Sequence, residues 1–217
     1  MSPPDSLTIL VHGFNKGSRD MRYLARGLFE RGFSVLSVEL PTTFGSLDQA
    51  VRALARQIDP AVARHRRIHF VAHSLGGLIT RTYLAQRKAQ NTGHCVFIAT
   101  PHGGSPLAAL AHRIPLYSAV FRPIHPLRPG ADVAPLPAPR NYRVGLIAGN
   151  RNTGLLGRLF LSPSSDGRVE VRDVAARDAD EFLILPYGHK DIHHRQATLD
   201  AVEHFLNTGH FPARDPV

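Results

Sequence analysis

The chain has 217 residues, enough to bury one sizeable core and most economically read as one domain spanning 1–217. Its 26 basic residues against 17 acidic ones give a formal charge of +9, but the arginines are scattered, without a dense run or interleaved aromatics, so a solvated surface is expected and nucleic acid is not an expected partner. No stretch approaches the roughly 20 apolar residues that span a bilayer, Met1–Ser6 lacks a charged start followed by an apolar run, and the single cysteine, Cys95, excludes an internal disulfide and reads as a packing residue, all of which fit a cytoplasmic protein.

Taken in chain order, apolar β-branched runs alternate with helical patterns. Leu7–Val11 reads as the first strand. A helix follows, with Ser18 as N-cap, Gly32 just past its end, and Met21, Leu24, Ala25, Leu28 and Phe29 along one stripe. Ser34–Leu40 is the second strand. The next helix starts at Ser46 and aligns Leu47, Ala50, Val51, Leu54 and Ile58. Ile68–His73 is a third strand that runs directly into a helix after Ser74, with Leu75, Leu78, Ile79, Tyr83 and Leu84 at helical spacing. Cys95–Ala99, Arg143–Ala148 and Glu181–Pro186 complete the strands, and a last helix from about Ala197 to Asn207 buries Leu199, Val202, Phe205 and Leu206 before Gly209. Several strands are continuous apolar runs, as expected of parallel strands covered on both faces, so the pattern predicts an open, mainly parallel sheet of about six strands flanked by helices.

Residues 103–141 break this rhythm. The segment carries eight of the seventeen prolines, with apolar patches at Leu107–Ala111, Ile114–Leu116 and Ala119–Phe121. A connection of this length inside a compact unit is usually functional. It reads as a lid-like insertion beside the site, or as a proline-rich surface excursion.

The stretch Val71-Ala72-His73-Ser74-Leu75-Gly76-Gly77 carries the chemistry. A serine between a strand and a helix, with small residues two before and two after, can sit on a sharp strained turn that lifts its hydroxyl to where a base can reach it. Read alone, Ser74 could equally be the N-cap of the following helix. Other segments stand downstream in a consistent order: Ala99-Thr100-Pro101-His102-Gly103-Gly104-Ser105 after a strand, Asp166-Gly167-Arg168-Val169 in a turn, and His189 after the last strand. Asp132 and Asp173 compete with Asp166, and His193 and His194, near Asp191, compete with His189.

With Val11-His12-Gly13-Phe14 near the start, these motifs resemble the compact bacterial lipase/esterase branch of the α/β-hydrolase superfamily, with Ala72 where the usual G-x-S-x-G pattern has glycine. The resemblance implies the α/β-hydrolase fold and a Ser-His-Asp triad of Ser74 as nucleophile, His189 as general base and acid, and Asp166 as the orienting carboxylate. It also implies an oxyanion hole from the backbone N–H groups of Leu75, at the helix start, and Phe14, after the turn at His12-Gly13. His12 is then expected to hold its loop by hydrogen bonds, and His73 and His102 to sit at the rim or fix loops. His189-Lys190-Asp191-Ile192-His193-His194 has zinc-compatible residue types, but the expected reaction uses no metal and no cofactor. The expected substrate is a small-molecule or lipid-like ester, with transient contact to a lipid surface. Thioester hydrolysis or acyl transfer on the same triad, and a non-catalytic binding protein with this fold, are the alternatives.

Overall fold

The computed structural model describes residues 5–87, 90–112, 127, 130, 133–138, 140–152 and 154–213. Six strands, β1 (Ser6–Val11), β2 (Val35–Ser37), β3 (Arg67–His73), β4 (Thr92–Ile98), β5 (Val144–Gly149) and β6 (Glu181–Leu185), form one open sheet. Their order is β2-β1-β3-β4-β5-β6, and every neighbouring pair is parallel. Between them run α1 (Arg22–Glu30), α2 (Leu47–Val62), α3 (Leu75–Arg87), α4 (Pro106–His112), α5 (Leu155–Phe160) and α6 (Val171–Val174), and α7 (Gln196–Thr208) follows β6.

The continuous apolar runs have a direct physical reason. Successive strand residues point to opposite faces, and each face here has its own core. Ile9, Phe70, Phe97 and Leu146 pack with α2 and α3, through Leu54, Ile58, Leu78 and Tyr83. Leu10, Val71, Val96 and Ile147 pack on the other face with α1 and α7, through Leu24, Leu28, Leu199 and Phe205. Right-handed crossovers produce this division: the chain moves one way from β1 to β2, then reverses from β2 across β1 to β3. The reversal leaves a crevice at the carboxyl ends of β1 and β3, the switch point where open α/β sheets place their sites.

Local expectations hold in most elements and fail in three instructive places. At Ser46 a full capping box forms, with the hydroxyl accepting from the Gln49 amide at 3.2 Å and the Gln49 side chain accepting from the Ser46 amide at 2.8 Å. Ser18, by contrast, is no side-chain cap: it opens a 3-10 turn, Ser18–Met21, and its backbone N–H donates to Glu39 Oε2 at 2.7 Å. On α1 the buried stripe is Met21, Leu24 and Leu28, whereas Phe29, one residue round the helix, is 71% exposed. The second strand is shorter than expected, because this edge strand pairs only where Thr8–Leu10 offers partners. Beyond it the chain turns so that the Leu40 amide reaches His12. The last helix ends as expected at Gly209, whose φ of +77° only glycine adopts freely. Cys95 is free and fully buried, and burial pushes its thiol up to about 12, so it packs and does not react.

Of the 103–141 segment, residues 103–112, 127, 130, 133–138, 140 and 141 are described; the apolar patches at 114–116 and 119–121 and Asp132 lie outside the described residues. Its return is anchored by buried Arg81 on α3, which donates to the Ala134 carbonyl at 3.2 Å and pairs with Asp178, while Asp178 accepts the Leu136 amide at 3.1 Å. No helix among the described residues is long and apolar enough to cross a membrane. Replacing Asp178 with Ala strands a guanidinium that is 3% exposed. Urea denaturation should register a loss of about 3 kcal/mol, the low end for an unpaired buried charge because the carboxylate is partly exposed. Asp178→Asn, which keeps an acceptor, should lose less.

Candidate active site

The backbone geometry at the end of β3 is set by the absence of any loop between strand and helix. Ser74 has φ +54°, a left-handed conformation a serine adopts only when its surroundings impose it. Its N–H is fixed to the Ile98 carbonyl at 2.8 Å, and its carbonyl accepts from Thr100 Oγ1 at 3.1 Å and the Gly77 amide at 3.0 Å. The glycines that follow are dictated by contact. A Cβ on Gly76 would stand 2.6 Å from the carbonyl oxygens of Val11 and His12, and one on Gly77 would stand 2.1 Å from Thr100 Oγ1. Both glycines let α3 begin against β1 and the strand β4 exit.

Asp166 sits in a tight turn whose ends, Ser165 and Glu170, form a bridge. The turn requires Gly167 at φ +89° and is closed by the Asp166 amide donating to the Val169 carbonyl at 3.0 Å. Within it, carboxylate oxygen Oδ1 accepts the amides of Arg168 at 2.9 Å and Val169 at 2.8 Å, leaving Oδ2 for His189 Nδ1 at 2.7 Å. The carboxylate only accepts, so Nδ1 carries the proton and Nε2 is left as an acceptor. That Nε2 lies 3.0 Å from Ser74 Oγ. Ser74, which follows β3, Asp166, in the turn beyond α5, and His189, which follows β6, are 7%, 3% and 6% exposed.

The loop after β1 lies directly on the serine. A Cβ on Gly13 would come within 3.1 Å of Ser74 Cβ and 3.3 Å of the His73 carbonyl, which brings the following residue, Phe14, to the rim of the site. His12 is buried and fixes this loop: Nδ1–H donates to the Gly13 carbonyl at 3.1 Å and Nε2 accepts the Leu40 amide at 3.0 Å. Burial lowers its pKa, so it is a neutral strut with both nitrogens engaged. Leu75 is the first residue of α3, where an amide has no carbonyl within its own helix to bond to.

The competing residues that are described, Asp173, His193 and His194, have other partners. Asp173 lies on α6 against Gly103, with burial pushing its carboxyl up. His193 and His194 turn to Asp20, with Nε2 at 3.0 and 3.9 Å from its carboxylate. His102 donates Nδ1–H to the Val174 carbonyl at 2.6 Å, and burial lowers its pKa to about 4. Among the described residues the one group with metal-competent donors is Asp20, His73 and His193. Imidazole lone pairs lie in the ring plane, and the rings of His73 and His193 are stacked, 3.9 Å apart at 25°, so they do not converge on one ion. Asp20 gave no signal in the sequence, because its partner stands 173 positions away.

The profile of the alpha/beta hydrolase family matches residues 8–217. Among solved structures the fold is similar to the mature form of the lipase BlEst2 from Bacillus licheniformis, at 19% identity and a TM-score of 0.76 over 95% of this chain and 92% of that one. A metagenomic carboxyl esterase, MGS0156, is 17% identical with a TM-score of 0.62, over 87% and 66%. The type II thioesterase BorB of the borrelidin biosynthetic cluster is 16% identical with a TM-score of 0.65, over 95% and 93%. No curated protein matches at the level of sequence.

Gly149, the last residue of β5, separates the acid and histidine loops. A Cβ there would stand 2.4 Å from the Tyr187 carbonyl and 2.8 Å from Asp166 Cβ. Gly149→Ala should therefore wedge the two loops apart and lower stability by about 1–3 kcal/mol in urea denaturation, as overpacking does.

Proposed function

The chain belongs to the alpha/beta hydrolase family, and on that premise we propose that it is a serine hydrolase that cleaves carboxylic esters. The observation that carries the reading is the unbroken hydrogen-bond chain Asp166 Oδ2, His189 Nδ1–H, His189 Nε2, Ser74 Oγ, at 2.7 and 3.0 Å. Ser74 Oγ attacks the ester carbonyl carbon while its proton passes to His189 Nε2. Asp166 holds the ring in the required tautomer and stabilises the imidazolium that forms. The tetrahedral alkoxide is received by the amides of Phe14 and Leu75, and a donor of this kind is worth about 10²–10³ in rate. His189 then returns its proton to the leaving alkoxide, the C–O bond breaks, and an acyl-serine remains. Water, deprotonated by the same nitrogen, attacks the acyl carbon; His189 returns that proton to Ser74 Oγ as the acyl C–Oγ bond breaks, and the acid is released.

The substrate in this reading is a small-molecule or lipid-like ester. Leu110 on α4 and Leu159 and Phe160 on α5 are exposed apolar side chains on two helices that pack together, and α5 abuts the acid turn where Gly157 meets Gly167. Such a flank favours an apolar acyl group and transient contact with a lipid surface. The chain just before α4 borders the same side: Ser105 donates to the Arg168 carbonyl of the acid turn at 2.8 Å.

Ser74→Ala should stay folded, lose labelling by a fluorophosphonate probe, and lose roughly 10⁴-fold or more of the turnover of short p-nitrophenyl esters. Labelling that persists in this variant overturns the assignment. Oxygen esters and thioesters with the same acyl chain separate the ester reading from thioester hydrolysis; the expected preference is for the oxygen ester.

A further inference from the structure

A buried cluster beside Ser74 takes no part in the proton transfers just described, yet it holds the residue that does. His73 immediately precedes the serine. Its Nε2 stands 3.1 Å from the backbone carbonyl of His189, which can only accept, so Nε2 carries the proton and Nδ1, buried and without a partner, does not. Burial, reinforced by the neighbouring His193 and His189, holds the His73 pKa well below the ordinary histidine value, which keeps the ring neutral and in this donor form.

The ring of His73 is itself held. His193, 1% exposed, stacks on it at 3.9 Å, and His193 Nε2 lies 3.0 Å from Asp20 Oδ2. Asp20 belongs to the 3-10 turn that follows the Phe14 loop, and Lys16 Nζ donates to its other oxygen at 2.9 Å. Burial alone would raise the Asp20 carboxyl, but hydrogen bonds from His193 and Lys16 hold it well below the usual range, so the acceptor stays ionised. The ring of His194 lies 4.0 Å from that of His193, tilted by 41°.

We propose that His73 is a positioning residue for the hydrolytic reaction: it donates Nε2–H to the His189 carbonyl, and the Asp20–His193 pair holds its ring where that bond forms. The inference rests on the serine-hydrolase reading. His189 is then pinned at three points: its N–H on the Asp166 carbonyl at 2.9 Å, its C=O on His73, and its Nδ1 on the Asp166 carboxylate. Remove the middle one and the peptide after His189 is free to rotate, so the 3.0 Å approach of Nε2 to Ser74 Oγ is no longer fixed. A displacement of about 1 Å in such a geometry loses about 10²-fold in rate. Because the donor is the residue next to the nucleophile, serine and base move as one unit.

Two substitutions at one position separate the donor from the ring. His73→Phe keeps the ring volume and the stack but has no N–H; His73→Gln carries an amide N–H at similar reach. With p-nitrophenyl acetate, His73→Phe should lower kcat by about 10–100-fold with KM within about twofold, slow fluorophosphonate labelling by the same factor, and remain folded by circular dichroism, while His73→Gln should recover to within about fivefold of the parent. Full kcat in His73→Phe overturns the proposal, as does equal slowing in both variants, which assigns the effect to packing. If neither variant folds, Asp20→Ala, which removes the acceptor, tests the same chain from its outer end: a several-fold fall in kcat at unchanged KM supports it and an unchanged kcat overturns it. The parent protein and Ser74→Ala are run alongside. An inactive, unlabelled parent sinks the hydrolase reading and this inference with it, whereas an active parent with an unaffected His73→Phe sinks only the inference.

Discussion

The whole arrangement depends on one residue held where a side chain is normally unwelcome. Ser74 adopts a left-handed backbone conformation because β3 enters α3 without a loop. A conformation of this kind costs of the order of 1–3 kcal/mol, and it persists only because its neighbours leave no alternative. The Ser74 amide is tied to β4, its carbonyl to Thr100, and Gly76 and Gly77 let α3 start in contact with β1 and with the residue after β4. Moving the serine to an ordinary conformation would break all of these at once. Ala99, at the end of β4, repeats the device with φ +50°. Strain is thus concentrated at the carboxyl edge, and the two-faced core of Leu, Ile, Val and Phe behind it supplies the offsetting stability, each fully buried side chain contributing about 1.5–3 kcal/mol.

Around that fixed point lie several buried histidines, three of which are placed by backbone groups. His12 bonds the Gly13 carbonyl and the Leu40 amide, His102 the Val174 carbonyl, and His73 the His189 carbonyl. Burial lowers the pKa of all three, so they act as neutral struts that satisfy carbonyls no strand or helix can reach. Asp166 is satisfied by two amides before it meets His189, which leaves one oxygen for the imidazole and fixes its direction. The loops at this rim therefore behave as rigid attachments of the sheet.

The sheet and its helices were legible because their signals are local. Apolar runs at Leu7–Val11 and Ile68–His73, the Ser46 cap and the Gly209 stop are written within a few residues of one another, and the structure places elements there with small shifts at the ends. What failed was also local but ambiguous: a serine before a helix reads as a cap whether its hydroxyl or only its amide is used, and Ser18 uses the amide. In the site, the three residues expected from the resemblance are brought within hydrogen-bond reach of one another. An Asp-Gly pair, which Asp173 lacks, favours a turn that exposes the carboxylate, and Gly167 does adopt the positive φ that such a turn needs. The Asp20–His193–His73 chain was illegible, since nothing in composition or spacing pairs residues 173 positions apart across the switch point.

That last case shows what decides which histidine reaches the serine. His189, His193 and His194 lie within six positions of one another and share one chemistry, so residue type cannot separate them. The separation is made by partners. The acid turn offers an accepting oxygen and an accepting carbonyl to His189 alone, taking its ring and its amide together. The 3-10 turn after the Phe14 loop offers the Asp20 carboxylate to the other two, whose rings lie 4.0 Å apart. Two carboxylates on opposite sides of the crevice thus sort three adjacent imidazoles. Because one of those carboxylates sits just beyond the Phe14 loop, the segment bearing Phe14 and the loop bearing His189 are fastened to each other as well as to the sheet.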